Sequence, residues 1–265
     1  MIDAKEIPLD PSFINVVSWL RIESVKYLRD KARVRKKDRK KRSIFLSPEE
    51  RKRKILEDLS AVYSPKKLNE LFKKASSLLD AQKSALQACG YIVFDFPGRT
   101  KSRLIVGMAS DIFGKQIFEV GLSWDPLLNL PYIPASSLKG AFRSYIEMEK
   151  KDLTPKLGTK EEVSSIIFLN AYPIDSKFNL LVPEVTTPIY KEQEGKIRET
   201  EAKPTPIIYP VVNKDVIFRI VVGVKPEEKE LINRLKLFLK DVLERGIGAK
   251  TLLGYGIMEL EEHDQ

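Results

Sequence analysis

The sequence predicts an α+β fold in which a basic helical region precedes a domain rich in β-strands. Apolar residues recur at helical spacing over most of residues 1–90, whereas strand-like runs rich in Val, Ile, Phe and Tyr dominate after Gly90. Lys and Arg outnumber Asp and Glu by 22 to 12 in residues 1–90, but the ratio is 24 to 25 in the remainder. We therefore expect a basic helical N-terminal region over residues 1–90 and a second domain over residues 91–265, with an insertion around residues 175–205.

Composition narrows the class of protein. A chain of 265 residues with 43% hydrophobic and 31% charged residues can bury a substantial core. No apolar run is long enough to span a membrane and the N-terminus does not resemble a signal peptide, so we expect a cytoplasmic protein without membrane contact. Cys89 is the only cysteine and His263 the only histidine, which argues against disulfides, zinc sites and histidine-based catalysis.

Three helices are predicted in the first region, over residues 11–30, from Ser47 onward, and over residues 64–88. The second begins with a capping box in which Ser47 is the N-cap, Pro48 the first helical residue and Glu50 the third. The apolar positions that we expect to face the core are Phe13, Val16, Val17, Leu20, Val25, Leu28, Ile55, Leu56, Leu59, Leu68, Leu71, Phe72, Leu78 and Leu79.

A strongly basic run lies between the first two helices. From Lys31 to Arg42 it contains nine basic residues and one acidic residue. Such a run cannot pack into a core, so two interpretations remain open: a solvated charged linker and an arm that faces a polyanion.

The second region begins with two strand-like runs. Tyr91–Phe96 and Arg103–Ala109 are predicted as strands, and Pro97 and Gly98 predict a turn or loop between them. 

The C-terminal part of the second region has a clearer sequence pattern. Pro206–Val212 and Val216–Val224 are predicted as strands, followed by a helix over residues 226–245 and a last strand at Tyr255–Leu260. The expected buried positions of that helix are Leu231, Leu235, Phe238, Leu239 and Val242. A β-β-helix-β ending of this kind fits half of a ferredoxin-like fold.

The segment from Gly246 to Gly256 contains four of the chain's thirteen glycines. Glycines permit positive φ and leave main-chain N–H groups accessible to an anion, and Lys250 adds positive charge, so the segment predicts a phosphate-binding loop. It is not a P-loop, because Ala249 stands where a glycine must precede the lysine and the segment follows a helix instead of a strand. The alternative is a helix C-cap at Gly246 followed by a tight turn.

A second candidate site lies at the start of a predicted helix. Pro134 cannot lie inside a helix, and Ser136 or Ser137 is a good N-cap. Lys139 and Arg143 are four residues apart and share one face, so N–H groups, a hydroxyl and two cations point the same way. The pattern predicts a phosphate site; the alternative is an ordinary amphipathic helix with solvated basic residues.

The two segments Ile133–Arg143 and Gly246–Gly256 together resemble the helix motif and the C-terminal glycine-rich loop of the RAMP superfamily of CRISPR-associated RNA-binding proteins. The resemblance spans about residues 91–260, and Gly-Ile-Gly-Ala-Lys-Thr followed by Gly-Tyr-Gly is most similar to the sixth subunit of the Cmr (type III-B) effector module. It implies a ferredoxin-like, RRM-type fold. The RNA-binding residues that it implies are Ser136, Ser137, Lys139, Gly140, Arg143, Gly246, Gly248, Ala249, Lys250, Thr251 and Gly254.

The resemblance also implies a function. Such a subunit binds the guide RNA backbone towards its 3′ end and caps the backbone filament in antiviral defence, without catalysis, cofactor or metal. The implied partners are CRISPR guide RNA, complementary target RNA, and other Cmr subunits, namely the backbone RAMP subunit, the small helical subunit and the head RAMP subunit.

Residues 180–200 combine proline, threonine and alternating charge, which predicts a protruding β-hairpin or loop. In relatives such a projection, called the thumb, wedges between guide and target, and Ile189 stands where relatives often carry a histidine. The residues that the resemblance assigns to contacts with target or guide are Thr186, Thr187, Tyr190 and Lys191. A solvated hairpin without RNA contact remains the alternative.

Two other functions remain open. A RAMP endoribonuclease acting on guide or target RNA is the first, since relatives that cut target RNA use an aspartate in a loop before the helix together with a metal. Asp111 and Asp125 lie in the corresponding region, but Asp111 has no second acid beside it and Asp125 precedes a proline in a pattern typical of turns. A DNA-binding or scaffolding protein would explain the basic run but not the glycine-rich loop.

Overall fold

The computed structural model describes residues 10–35, 47–108, 111–113, 115–160, 162–187, 191–193, 196–198 and 206–261. Its helices are α1 Val16–Arg35, α2 Pro48–Val62, α3 Asn69–Ala88, α4 Lys115–Phe118, α5 Ala135–Glu149 and α6 Lys229–Arg245. Its strands are β1 Ile92–Thr100, β2 Trp124–Asp125, β3 Leu130–Pro131, β4 Ile166–Phe168, β5 Tyr172–Ser176, β6 Leu181–Thr186, β7 Lys191–Gln193, β8 Lys196–Arg198, β9 Ile207–Val212, β10 Val216–Val224 and β11 Met258–Leu260. None of the helices in these ranges is long and apolar enough to cross a membrane.

The main sheet is antiparallel, in the order β11-β1-β10, with β4 and β5 pairing along β10. The two central strands pair over most of their length, from Ile92 opposite Val224 to Arg99 opposite Ile217. In the chain, α5 lies between β1 and β4, and α6 lies between β10 and β11, so a helix connects each central strand to an edge of the sheet. The α+β prediction is therefore confirmed, and the structure shows that the sheet is antiparallel.

Helices cover both faces of this sheet. Successive residues of β10 point to opposite faces, so their contacts show which helix lies on each face. Arg219 donates to Asp80 of α3 at 2.7 Å, which places α3 on one face. Val222 lies opposite Phe168 of β4, and the Phe168 ring packs against Phe142 of α5 with centroids 5.4 Å apart. Since α6 packs beside α5, the sheet is a middle layer between α3 and the α5–α6 pair.

Buried polar contacts join the N-terminal helices to the rest of the protein. Asn129, between β2 and β3, accepts a hydrogen bond from the Val16 N–H at 3.0 Å and donates to the carbonyls of Pro11 and Ile14 at 2.8 Å each. The Tyr63 hydroxyl donates to the Asn129 carbonyl at 2.9 Å. One cluster of buried apolar side chains includes residues from these helices and from the sheet. A domain boundary near residue 90 stays a prediction.

Several local patterns predict the elements correctly. The capping box of α2 is present, since the Ser47 side chain accepts from the Glu50 N–H at 3.2 Å and the Glu50 carboxylate accepts from the Ser47 N–H at 2.7 Å. The predicted C-terminal helix is α6, which begins at Lys229, and its five predicted core positions are buried.

The predicted core face of the first helix is partly wrong. The expected core positions that are exposed instead are Phe13, Val25 and Leu28. Polar residues occupy part of the inward face, because Arg51 of α2 forms ion pairs with Glu23 at 3.5 Å and Asp30 at 2.5 Å. The helix also extends to Arg35, into the basic run, and residues 36–46 lie outside the described residues.

The turn predicted at Pro97 and Gly98 is also wrong, because β1 continues through both residues. Pro97 precedes the point at which pairing with β11 begins, and proline is tolerated where a strand lacks a partner on one side. A Cβ at Gly98 would lie 2.9 Å from the Ile220 Cδ1, so the glycine allows close packing. The described part of the predicted second strand, residues 103–108, is an irregular segment with an isolated bridge between Leu104 and Val212.

A separate antiparallel ribbon is inserted between β5 and β10. β6 pairs with β9, with Thr186 opposite Ile207, and β7 pairs with β8, with Lys191 opposite Arg198. These four strands, named the hairpin arm here, overlap the insertion predicted around residues 175–205. Tyr190 lies outside the described residues, as does the side chain of Lys191.

Candidate nucleic-acid interface

The glycine loop, residues 246–256, links α6 to β11 and lies against the irregular segment that follows β1. The Ala249 N–H donates to the Ile105 carbonyl at 2.8 Å, and the Gly256 N–H donates to the Arg103 carbonyl at 2.8 Å. The loop therefore uses part of its main-chain hydrogen-bonding capacity to hold its own position.

Two glycines of the loop are required by the protein's own backbone. Gly248 has a φ of 91°, and a Cβ there would lie 2.3 Å from the Ile105 carbonyl oxygen. Gly256 has a φ of 73°, and a Cβ there would lie 2.0 Å from the Ile247 carbonyl oxygen. Gly246 is the C-cap of α6, as the alternative interpretation expects. Internal packing thus accounts for these glycines without a ligand.

Lys250 is the cation of the loop, and the hairpin arm holds its ammonium group. Nζ donates to the Thr186 Oγ1 at 2.8 Å and to the Tyr209 hydroxyl at 2.7 Å, and it lies 5.1 Å from the Tyr209 ring centroid. The two hydroxyls are also hydrogen-bonded to each other at 2.7 Å. The structure therefore brings a predicted loop residue and a predicted thumb residue together through a direct protein contact.

An ion pair reinforces the same junction. Arg103 donates to the Glu184 carboxylate of β6 at 2.8 Å. Burial opposes ionisation of Glu184, but hydrogen bonds from Arg103, the Val185 N–H and Tyr255 outweigh it and hold the pKa of this carboxyl below its usual value. Burial and the hydrogen bond to Glu184 raise the pKa of the Tyr255 phenol to about 12, so this hydroxyl stays protonated at neutral pH. The base of the arm is thus fixed against the glycine loop.

The start of α5 differs from the prediction. The helix begins at Ala135 with Pro134 in the N-cap position, so the prediction of Ser136 or Ser137 as N-cap is wrong. Proline has no side-chain acceptor, and the Ala135 N–H donates instead to the Asn170 Oδ1 at 2.9 Å. The capping group therefore comes from the loop between β4 and β5, which leaves the serine hydroxyls of the first turn without a capping role.

The two basic residues of α5 have different environments. Arg143 donates to the carbonyls of Leu157 and Gly158 at 3.0 and 2.6 Å and lies 3.6 Å from the Glu147 carboxylate. Lys139 makes no hydrogen bond or ion pair with the residues that the structure describes. Partial burial and, to a smaller extent, the positive charge of Arg143 lower the pKa of Lys139. Lys139 is thus a cation beside another cation, and an anion would stabilise it.

An open pocket of about 400 Å³ lies between this face of α5 and residues 157–160 and 162–164. Lys139, Arg143 and Lys160 line it, together with Glu162. Among the described lining residues, three basic side chains lie against one acidic side chain, which suits an anion such as a phosphate group.

The predicted site residues fall into two groups that no described hydrogen bond, ion pair or ring contact joins. The first group lies in α5 and contains Ser136, Ser137, Lys139, Gly140 and Arg143. The second lies in the glycine loop and at the base of the arm and contains Gly246, Gly248, Ala249, Lys250, Thr251, Gly254, Thr186 and Thr187. A single site formed by both groups stays a prediction.

Asp125, a candidate catalytic residue of the endoribonuclease alternative, stabilises a turn. Its Oδ1 accepts hydrogen bonds from the N–H groups of Leu127 and Leu128 at 2.8 and 3.0 Å, and its Oδ2 accepts one from the Tyr172 hydroxyl at 2.8 Å. Within the described ranges, no three His, Cys, Asp or Glu side chains are placed to hold a metal ion, and His263 lies outside those ranges.

Sequence reasoning missed four residues of the loop–arm junction. Tyr255 was the easiest of them to predict, because an aromatic residue between two glycines of the loop is a pattern visible in the local sequence. Arg103, Glu184 and Tyr209 come from three separate segments, and no local pattern connects them.

Comparison with known proteins identifies a family for this chain. The model of the RAMP superfamily matches residues 98–259. The CRISPR system CMR subunit Cmr6 of Saccharolobus solfataricus is 35% identical over 194 residues, a match that covers 72% of this chain and 66% of that protein, just under two thirds of its length. The CRISPR system Cmr subunit Cmr6 of Pyrococcus furiosus is 24% identical over 262 residues, with 72% and 74% covered.

A solved structure has the same overall fold. One chain in a cryo-EM structure of the type III-B Cmr-beta bound to cognate target RNA superposes with a TM-score of 0.79 and 29% identity, and the match covers 94% of this chain and 92% of that one. The family match extends from the end of β1 into β11, so it includes α5, the hairpin arm, the whole glycine loop and most of the sheet. The chain therefore belongs to the RAMP superfamily, and it is similar to the Cmr6 subunits of CRISPR systems.

Proposed function

We propose that this protein is a non-catalytic RNA-binding subunit of a type III-B CRISPR effector complex, Cmr. In this role it binds the backbone of the guide RNA towards its 3′ end and caps the backbone filament. The junction between the glycine loop and the hairpin arm carries the proposal, because it fixes two elements with expected RNA contacts in one orientation. Similarity to Cmr6 subunits and to a chain in an RNA-bound Cmr-beta structure supports it.

The fold supports an RRM-type assignment. The order β11-β1-β10-β4, with α5 and α6 as the two crossover helices, is the pattern of a β-α-β-β-α-β ferredoxin-like fold. The hairpin arm interrupts this pattern between its second and third strands. We assign the arm as the thumb, which contacts guide or target RNA.

The α5 pocket supports the binding of phosphate. Lys139 has no partner among the described residues and lies in a basic pocket, so it can pair with a backbone phosphate. A charge-assisted contact of this kind contributes about 1.5 to 3 kcal/mol. Contacts to phosphate do not depend on the base, which suits a subunit that must accept guides of different sequence.

The partners in this proposal are guide RNA, complementary target RNA and neighbouring Cmr subunits. Copurification from the native host tests the assignment: a Cmr complex that contains this chain and RNA of defined length is expected. A broad smear of RNA without Cmr subunits would instead indicate a nonspecific nucleic-acid-binding protein.

The binding site is tested with the purified full-length chain. Lys139→Ala should weaken binding to single-stranded RNA by about tenfold or more for every sequence tested. Lys236→Ala, on the exposed face of α6, is the matched control because it removes the same charge. Equal losses for the two variants would reduce the effect to net charge and contradict a specific α5 site.

The absence of catalysis is part of the proposal. The Asp125 carboxylate accepts hydrogen bonds on both oxygens, which supports a structural role. Labelled single-stranded RNA incubated with the protein and Mg²⁺ should remain intact. Specific cleavage that disappears in Asp125→Ala or Asp111→Ala would establish the endoribonuclease alternative.

A further inference from the structure

Two adjacent leucines form the tip of the glycine loop. Leu252 and Leu253 are 101% and 73% exposed. They belong to a short 3₁₀ turn, flanked by Lys250 and Gly254, whose φ values of 61° and 83° are both left-handed. The N–H groups of Leu253 and Gly254 donate to the carbonyls of Lys250 and Thr251 at 2.9 Å each. The backbone of the turn therefore holds both side chains away from the protein surface.

The base of this turn is anchored. The Ala249 N–H is bonded to the Ile105 carbonyl, and the Lys250 ammonium is bonded to Thr186 and Tyr209 of the hairpin arm. A protruding turn with an anchored base keeps its shape when another molecule approaches it. Rigid presentation of two apolar side chains lowers the entropy cost of inserting them into a partner.

The surroundings of the tip favour a nucleic acid over a protein as that partner. A protein interface usually has a continuous apolar centre, whereas this tip offers two side chains close to Lys250 in the chain, on a loop whose base contacts Arg103 through the Gly256 N–H. Apolar side chains flanked by cations are the combination with which proteins separate neighbouring bases while they hold the phosphates.

We propose that Leu252 and Leu253 form an apolar wedge that enters between two adjacent bases of single-stranded RNA and unstacks them. This inference rests on the proposed function, because it requires RNA along the glycine loop. The partner of the tip is therefore a pair of adjacent RNA bases, and the RNA strand bends between them. Lys139 would hold phosphate without regard to position, whereas the wedge would define where along the bound strand the stack is broken.

The test uses the full-length protein and a series of single-stranded RNAs, each short enough to bind in one register and each with 2-aminopurine at a different position. The fluorescence of 2-aminopurine rises when its base is unstacked. Wild-type protein should raise it by at least about twofold at one or two adjacent positions. The double variant Leu252→Ser/Leu253→Ser should lose most of that rise, while its affinity, measured by fluorescence anisotropy, falls by about tenfold or less.

The matched control is Leu127→Ser/Leu237→Ser, which removes two exposed leucines elsewhere and should leave the fluorescence rise unchanged. RNA binding by wild type without a localised rise would overturn the wedge and leave the proposed function intact. A rise that persists in the tip variant would also overturn it, and if that variant then failed to assemble with Cmr subunits, the leucines would be a protein contact. A wild-type protein that does not bind RNA would overturn both proposals.

Discussion

The glycine loop and the start of α5 each present a lysine that the sequence predicts as a phosphate ligand, and the structure places the two lysines in opposite situations. Lys250 is bonded to two hydroxyls of the hairpin arm. Lys139 lies next to Arg143 with no partner in the described part of the chain. The same residue type thus fixes one element in place at the first site and remains available for a ligand at the second.

The glycines of the two regions differ in the same way. A Cβ at Gly248 would overlap the protein's own carbonyl oxygen, whereas a Cβ at Gly140 in α5 would meet no atom within 4 Å. The glycine loop is therefore a packed structural element that carries an exposed tip, whereas α5 around Gly140 has open space for a ligand. Substitutions in the loop should mainly change stability and geometry, and substitutions in α5 should mainly change affinity.

The largest expected effect is that of Gly248→Val. A Cβ at this position would lie 2.3 Å from the Ile105 carbonyl oxygen, and φ is 91°, so the chain must move or lose the turn. We expect a loss of more than about 3 kcal/mol in the free energy of unfolding, measured by urea denaturation. Gly254→Ala is the control, since only its φ of 83° opposes the change, and about 1 to 2 kcal/mol is expected. Equal stability of the Gly248→Val variant and wild type would contradict the packed-loop description.

Substitutions of the two lysines should change different properties: RNA affinity for Lys139 and stability for Lys250. Lys139→Met removes a cation whose charged form burial disfavours, so stability should be unchanged or higher while RNA affinity falls by about 1.5 to 3 kcal/mol. Lys250→Met leaves the arm without its ammonium contact and should lower the free energy of unfolding by about 1 to 3 kcal/mol. Urea denaturation and RNA anisotropy on both variants check this. Equal changes in stability and in affinity for the two variants would contradict the different roles of the two lysines.

A double-mutant cycle on RNA affinity sharpens the same point. Residues that contact one ligand site are coupled, whereas distant residues with different roles give nearly additive effects. Because the described contacts do not join the two lysines, we expect additivity within about 0.5 kcal/mol. A larger coupling energy would mean that RNA brings the glycine loop and α5 into one site, as the sequence predicts.

The ion pair at the base of the arm should depend on pH. The folded-state pKa of Glu184 is lower than the ordinary value of 4.5, so its stabilisation is complete above that value and is lost as the pH falls through the folded pKa. Glu184→Gln should therefore cost about 1 to 2 kcal/mol at pH 7, and this cost should shrink as the pH is lowered from 7 through the folded pKa. Unfolding curves of the two proteins across this range check the sign, and a difference that grows towards acid would refute it.

Much of the fold follows from local sequence patterns. The capping box of α2, the buried face of α6 and the strand β10 depend on residues close in the chain, and all are present. The turn predicted at Pro97 fails because β10 and β11 pair with β1 on either side and extend the strand. The predicted inward orientation of Val25 fails for a similar reason, since ion pairs to Arg51 determine which side of α1 faces inward.

The candidate site was less predictable than the fold. Lys250 and Gly248 stand in a recognisable motif, but their partners Tyr209 and Ile105 are distant in sequence. The motif identifies a loop that must have a particular backbone shape, and it does not show whether a phosphate or the protein itself requires that shape. Only the three-dimensional contacts distinguish these two requirements.

The smallest expected effect concerns the first turn of α5 and compares the predicted cap with the observed one. Asn170→Ala removes the acceptor for the Ala135 N–H and should cost about 1 kcal/mol of stability. Ser136→Ala should change stability by less than about 0.5 kcal/mol, because the Ser136 side chain is exposed and makes no capping hydrogen bond. If the hydroxyl is free for phosphate, Ser136→Ala should nevertheless weaken RNA binding by about 0.5 to 1.5 kcal/mol. Thermal unfolding and RNA anisotropy on the two variants separate these effects. A Ser136→Ala variant that loses stability and keeps its affinity would return this serine to a structural role and leave Lys139 and its pocket as the ligand-binding part of α5.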